Sequence, residues 1–171
     1  MKGYVQVYTG NGKGKTTAAI GLAVRAAGAG LKVFIAQFCK GFDYSELKAL
    51  RLFKDSIKVK QYGKRTFIHG RPGEADKKFA MEGLIASKEA IKSGKYDVII
   101  LDEANIAVHF NLLSIDDLLD IIDSKPEDVE LVITGRHARK ELIKKADLVT
   151  RMCEIKHYYR QDVKARKGIE L

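Results

Sequence analysis

Apolar positions gather into short blocks along the chain, and their spacing changes from block to block. Tyr4, Val5, Val7 and Tyr8 form a brief block around Gln6 and predict a first strand. Lys15 to Ala27 is rich in alanine and apolar almost all round, which predicts a helix buried against a sheet, ended by Gly28 and Gly30. Lys32 to Phe38 and Ile57 to Tyr62 read as the next two strands. A helix between them, up to about Phe53, is opened by Asp43-Tyr-Ser-Glu46, a capping-box pattern. Glu74 to Ser93 predicts a long helix stopped by Gly94. Tyr96 to Leu101 is a continuous apolar run of the kind found in parallel strands buried on both faces. Ser114-Ile-Asp-Asp117 opens another helix, which Lys125-Pro126 ends. Glu130 to Thr134 then predicts a strand, Ala138 to Ala146 a short helix and Met152 to His157 a last strand. Strands and helices alternate throughout. That order predicts an α/β fold with a mainly parallel sheet, helices on both faces and a ligand at the carboxyl ends of the strands.

The 171 residues suffice for one domain, residues 1–171, with a sizeable core. Tyr158 to Leu171 reads as a basic C-terminal tail, a candidate for mobility. The formal net charge of +9 favours anionic partners, although a lysine-rich solvated surface has the same composition. No apolar run reaches the ~20 residues that a membrane span needs, and no signal peptide is expected ahead of the first strand. Cys39 and Cys153 lack metal-ligand spacing and read as reduced core thiols of a cytoplasmic protein. His69, His109, His137 and His157 show no cluster spacing, so zinc is not expected.

The chemistry concentrates between Tyr4 and Thr17. The first strand runs into Gly10, Gly12 and Gly14, then Lys15, Thr16 and Thr17, then the helix. Strand, glycine-rich turn and helix start make a phosphate-binding loop, as in nucleoside triphosphatases (a P-loop NTPase-like, RecA-like fold). Glycines let backbone N–H groups converge on an anion, and the helix adds its unpaired N–H groups and positive dipole end. Lys15 supplies a point charge, and the Thr16 hydroxyl can bind a phosphate-chelated Mg²⁺. The usual pattern begins with a further glycine, and Thr9 stands in its place. Val98-Ile-Ile-Leu-Asp102-Glu103 has the form of the strand that faces such a loop, with carboxylates emerging where they can hold Mg²⁺ or its waters. Glu103 can act as a general base or as a helix N-terminal charge. Arg136, after Thr134-Gly135, can reach a phosphate oxygen or form a surface ion pair.

Several segments together resemble the P-loop corrinoid adenosyltransferases, ATP:cob(I)alamin adenosyltransferases. The loop Tyr8-Thr-Gly-Asn-Gly-Lys-Gly-Lys-Thr-Thr17 has that family's short form, without the first glycine. Gly21 to Gly28, Gln37-Phe-Cys-Lys-Gly41, Glu74-Ala-Asp76, Leu101-Asp-Glu-Ala-Asn105, Val132-Ile-Thr-Gly-Arg136, Ala146-Asp-Leu-Val-Thr150, Lys156-His157 and Val163-Lys-Ala-Arg-Lys-Gly-Ile-Glu170 are also similar. The resemblance implies transfer of the 5′-deoxyadenosyl group of ATP to Co(I) of cobalamin or a related corrinoid, with release of triphosphate. It implies a nucleotide held reversed, so that the loop grips the γ end, a homodimer, and a flavoprotein reductase. By the same transfer Thr16 and Glu103 are metal ligands with Asp102 in support. Gly10, Asn11, Gly12, Lys13, Gly14, Lys15, Thr16 and Thr17 are expected to contact the nucleotide. After the third strand the family often has Gly-x-Gly-Phe-Thr-Trp; here Gly63-Lys-Arg-Thr-Phe-Ile68 leaves Phe67 as the nearby aromatic for the corrinoid, or simply for loop packing. Tyr158-Tyr159-Arg160 also replaces smaller residues.

Two other classes compete. A P-loop ATPase or kinase would cleave the γ-phosphate with Glu103 as base. A nucleic-acid module would exploit the net charge, but no basic motif interleaved with aromatics supports one.

Overall fold

A computed structural model describes residues 1–66 and 70–170, so the expectation placed on Phe67 lies outside the described residues. The strands are β1 (Val5–Thr9), β2 (Val33–Phe38), β3 (Ile57–Tyr62), β4 (Val98–Asp102), β5 (Glu130–Thr134) and β6 (Leu148–Arg151). They form one sheet in the order β3-β2-β4-β5-β1-β6, and every pairing is parallel. The helices are α1 (Lys15–Gly28), α2 (Ser45–Leu50), α3 (Glu74–Lys92), α4 (Ala104–His109), α5 (Ile115–Ser124) and α6 (Lys140–Lys145).

Apolar residues at successive strand positions serve opposite faces of the sheet, and each face has its own core. Ile35, Val98, Ile100 and Val132 pack with Ala19, Ala23 and Ala26 of α1. Phe34, Ala36, Ile99, Leu101 and Ile133 pack with Leu84 of α3, Ala107 of α4, Leu118 of α5 and Leu142 of α6. Each large aliphatic buried in this way contributes about 1.5–3 kcal/mol. Helices therefore cover both faces, as the element order predicts. Strand β5 lies between β4 and β1, so the two strands expected to carry the site are held one strand apart.

Four expectations need correction, and one helix is additional to them. The last strand is Leu148–Arg151, not Met152 to His157. Leu148 and Val149 are exposed on the sheet's edge and gave no burial pattern, whereas Ile155, which did suggest a strand, is 97% exposed. Helix α2 begins at Ser45 with Tyr44 as its N-cap, and Asp43 stands outside it, 3.8 Å from Arg51. Helix α4 was not foreseen, since its six residues are too few for a period to show. Helix α1 buries one stripe only, through Ala19, Ala23 and Ala26, and leaves Val24 exposed. Of the two cysteines, Cys39 is half-buried and Cys153 is exposed, so Cys153 is no core thiol.

Candidate active site

Strand β1 ends at Thr9, and five residues later the chain enters α1 with Gly14 as its N-cap at φ 115°. The intervening turn leans on the segment that follows β6. Met152 donates its N–H to the Thr9 carbonyl at 2.8 Å, and Gly12 donates its own to the Met152 carbonyl at 2.8 Å. At Gly10, φ is +96° and a Cβ would stand 2.3 Å from the Met152 oxygen, so only glycine fits. Lys15 is 7% exposed and curls back, its Nζ donating to the Gly12 carbonyl at 2.6 Å. Burial lowers its pKa, partly opposed by the charge of Glu103. Asn11, Lys13 and Thr17 are exposed on the rim of the turn.

Asp102, the last residue of β4, is 1% exposed. One oxygen, Oδ1, accepts from Thr16 Oγ1 at 2.8 Å and Thr134 Oγ1 at 2.7 Å. The other, Oδ2, accepts from Lys40 Nζ at 2.8 Å and Gln37 Nε2 at 3.2 Å. Burial alone would raise the carboxyl's pKa; the Lys40 charge and the donated hydrogen bonds hold it below the usual range. Thr16 thus ties the glycine turn to β4 across 86 residues of sequence.

Glu103 stands next, at φ 59°, as the N-cap of α4. Its N–H donates to Thr134 Oγ1 at 3.0 Å. Burial, then the neighbouring Asp102 charge, pushes its pKa up. Gly135, at φ +129°, lets the two strand ends approach: a Cβ there would sit 2.9 Å from Asn105 Cβ and 3.2 Å from Glu103 Oε2. Arg136 follows on the exposed side, and its charge lowers the pKa of both Lys15 and Glu103.

Comparison with known proteins places the chain in a family. A family model described as ATP:corrinoid adenosyltransferase BtuR/CobO/CobP matches residues 1–171. The chain belongs to this family. It is 32% identical to the corrinoid adenosyltransferase of Pseudomonas aeruginosa over 170 residues, 99% of this chain and 84% of that protein. It is 32% identical to the corrinoid adenosyltransferase of Escherichia coli K12, over 99% of this chain and 86% of that one. The corrinoid adenosyltransferase CobA of Salmonella typhimurium gives the same 32%, over 99% and 86%. As a member of this family the protein is an enzyme, and no helix among the described residues is long and apolar enough to cross a membrane.

In this family member the structure brings Gly10 to Thr17, Asp102, Glu103 and Arg136 to the carboxyl edge of the sheet. Among the described residues no group of three His, Cys, Asp or Glu could hold a metal by itself. Thr16, Asp102 and Glu103 are hard oxygen donors, and such a set suits Mg²⁺, which takes one or two carboxylates and completes its shell with water and phosphate oxygens.

Three partners of Asp102 carry no signal of that role in the sequence. Gln37 and Thr134 reach Asp102 from neighbouring strands, Gln37 being paired in register with Asp102, and Lys40 reaches it from the turn just past β2. His109 and His137 stack with ring centroids 4.1 Å apart. Lys13 does not point along the turn; its Nζ donates to Tyr158 Oη at 3.1 Å, the Ile169 carbonyl at 3.0 Å and Glu170 Oε1 at 2.8 Å. Tyr158 and Arg166 also bond to Glu170, so the C-terminal family motif lies against the turn.

Proposed function

We propose that the chain transfers the 5′-deoxyadenosyl group of ATP to the Co(I) centre of cobalamin or a related corrinoid and releases triphosphate. The family match over the whole chain carries this reading, and the hydrogen bond between Thr16 and Asp102 supports the roles given to individual residues. In this reading the N–H groups of the glycine turn not already bonded, as Gly12's is to Met152, and those at the start of α1 hold the γ end of the triphosphate, with Lys15, Thr17 and Asn11 beside them. Arg136 meets a phosphate oxygen from the β5 side. The ribose then points away from the loop, toward the corrinoid.

Thr16 and Glu103 would hold Mg²⁺, with Asp102 as a supporting carboxylate; when bound, the ion would neutralise charge on the triphosphate. Reduced cobalt is itself the nucleophile, so Glu103 need not remove a proton. A Co–C5′ bond forms, the C5′–O bond breaks, and its electron pair leaves on the triphosphate oxygen. The protein aligns the reacting atoms and stabilises the growing charge with Lys15 and the loop N–H groups. Phe67 is the aromatic proposed to meet the corrinoid. The same reading includes a homodimer in the cytoplasm and a flavoprotein that reduces the cobalt.

Separation of the phosphate products tests it. With ATP, Mg²⁺ and a chemically reduced corrinoid, triphosphate should be the sole phosphate product. ADP with free phosphate would contradict the proposal and favour γ-phosphate cleavage.

A further inference from the structure

Lys40 lies just past the end of β2, where Cys39 at φ 56° turns the chain. Its ammonium is 2.8 Å from Asp102 Oδ2 and 3.2 Å from Thr16 Oγ1. These oxygens belong to two of the three residues proposed above to serve Mg²⁺, and the inference rests on that reading. The pair is well buried, with the Lys40 side chain 15% exposed and that of Asp102 2%. A carboxylate offers about four lone-pair directions, and Thr16, Thr134, Gln37 and Lys40 use four on Asp102. A divalent cation coming to this corner must therefore share oxygens with an ammonium. Two positive charges a few ångströms apart, away from bulk water, repel strongly. Lys40 has a second place to rest, since its Nζ already stands 5.6 Å from the centroid of the Tyr44 ring.

We propose that Lys40 is an internal cation that competes with the divalent metal for Asp102 and Thr16, yielding toward Tyr44 only when the metal arrives with a triphosphate. The polyphosphate supplies what a bare ion lacks: anionic oxygens for the displaced ammonium. Lys40 thereby makes metal binding depend on nucleotide and keeps Thr16 and Asp102 aligned for it. It is a positioning residue.

Mn²⁺ binding, read by electron paramagnetic resonance, tests this without turnover. The intact protein should bind Mn²⁺ weakly alone and tightly with ATP. Lys40→Met should bind Mn²⁺ alone about tenfold tighter or more, a change of about 1.4 kcal/mol. Its melting temperature should fall in EDTA and recover with Mn²⁺, because the metal replaces the missing partner of Asp102. Lys40→Arg, which keeps the charge, should bind bare Mn²⁺ as weakly as the parent. Unchanged Mn²⁺ affinity in Lys40→Met, or a Lys40→Met protein that Mn²⁺ does not stabilise, overturns the proposal. Thr16→Ala separates the two ideas. If it leaves Mn²⁺·ATP binding intact, the metal site itself is misplaced; if it abolishes that binding while Lys40→Met changes nothing, only the role of Lys40 fails.

Discussion

Asp102 shows how much rests on one side chain. Four donors converge on a carboxylate that is 1% exposed. Removing one partner of a buried ion pair leaves the other uncompensated, so Asp102→Ala should cost about 3 kcal/mol of stability, measured by chemical denaturation. Its folded pKa is depressed, chiefly because the Lys40 charge and the hydrogen bonds outweigh burial. The associated stability is therefore complete above the ordinary Asp value of about 3.9 and is lost as pH falls through the lower folded value. Denaturation below pH 4 should accordingly be less steep in Asp102→Asn than in the parent. Lys15→Ala should abolish ATP binding, read by calorimetry, with the circular dichroism unchanged; retained binding would mean that the phosphates lie elsewhere. At this scale the glycine turn, Asp102, Glu103 and Arg136 were legible because each is local to a strand end. Gln37 and Thr134 were not, because only the neighbourhood of β2, β4 and β5 carries them to one carboxylate, and Lys40 joins them only through the turn at Cys39.

The elements differ in how plainly their sequences announce them. Strands β2, β4 and β5 are buried on both faces, so their apolar runs give them away. Strand β6 is exposed along its length and is held by its pairing with β1 rather than by burial, so its residues carry no such signal. Helix α4 owes its position to the left-handed turn at Glu103 and to packing beneath it, not to an amphipathic repeat. The chain after β6 has a definite task, bracing the glycine turn through Met152. Gly10→Ala places a methyl group 2.3 Å from the Met152 carbonyl at a positive φ. The variant should lose more than about 1 kcal/mol in denaturant melts, with its nucleotide affinity reduced as well. A neutral substitution would show that the turn does not depend on this close approach.

At the scale of the whole molecule, residues far apart in sequence are collected at one edge of a parallel sheet. The parallel order makes this possible, because every strand ends on the same side. The alternation of elements disclosed that arrangement, but not the closing of the C-terminal segment over the turn. The three donors of the Lys13 ammonium all go to Tyr158, Ile169 and Glu170. Glu170→Ala should therefore speed hydrogen exchange across residues 158–170 while leaving β4 and β5 protected. Equal protection in the variant would show that the contact does not hold the segment.

A cobalt–carbon bond is the defining product of the proposed reaction. Its most direct measurement is the absorption spectrum of a chemically reduced corrinoid mixed with the protein, ATP and Mg²⁺. A light-sensitive alkylcobalt spectrum that requires ATP is the predicted result. A corrinoid spectrum unchanged by the protein and ATP would contradict the account.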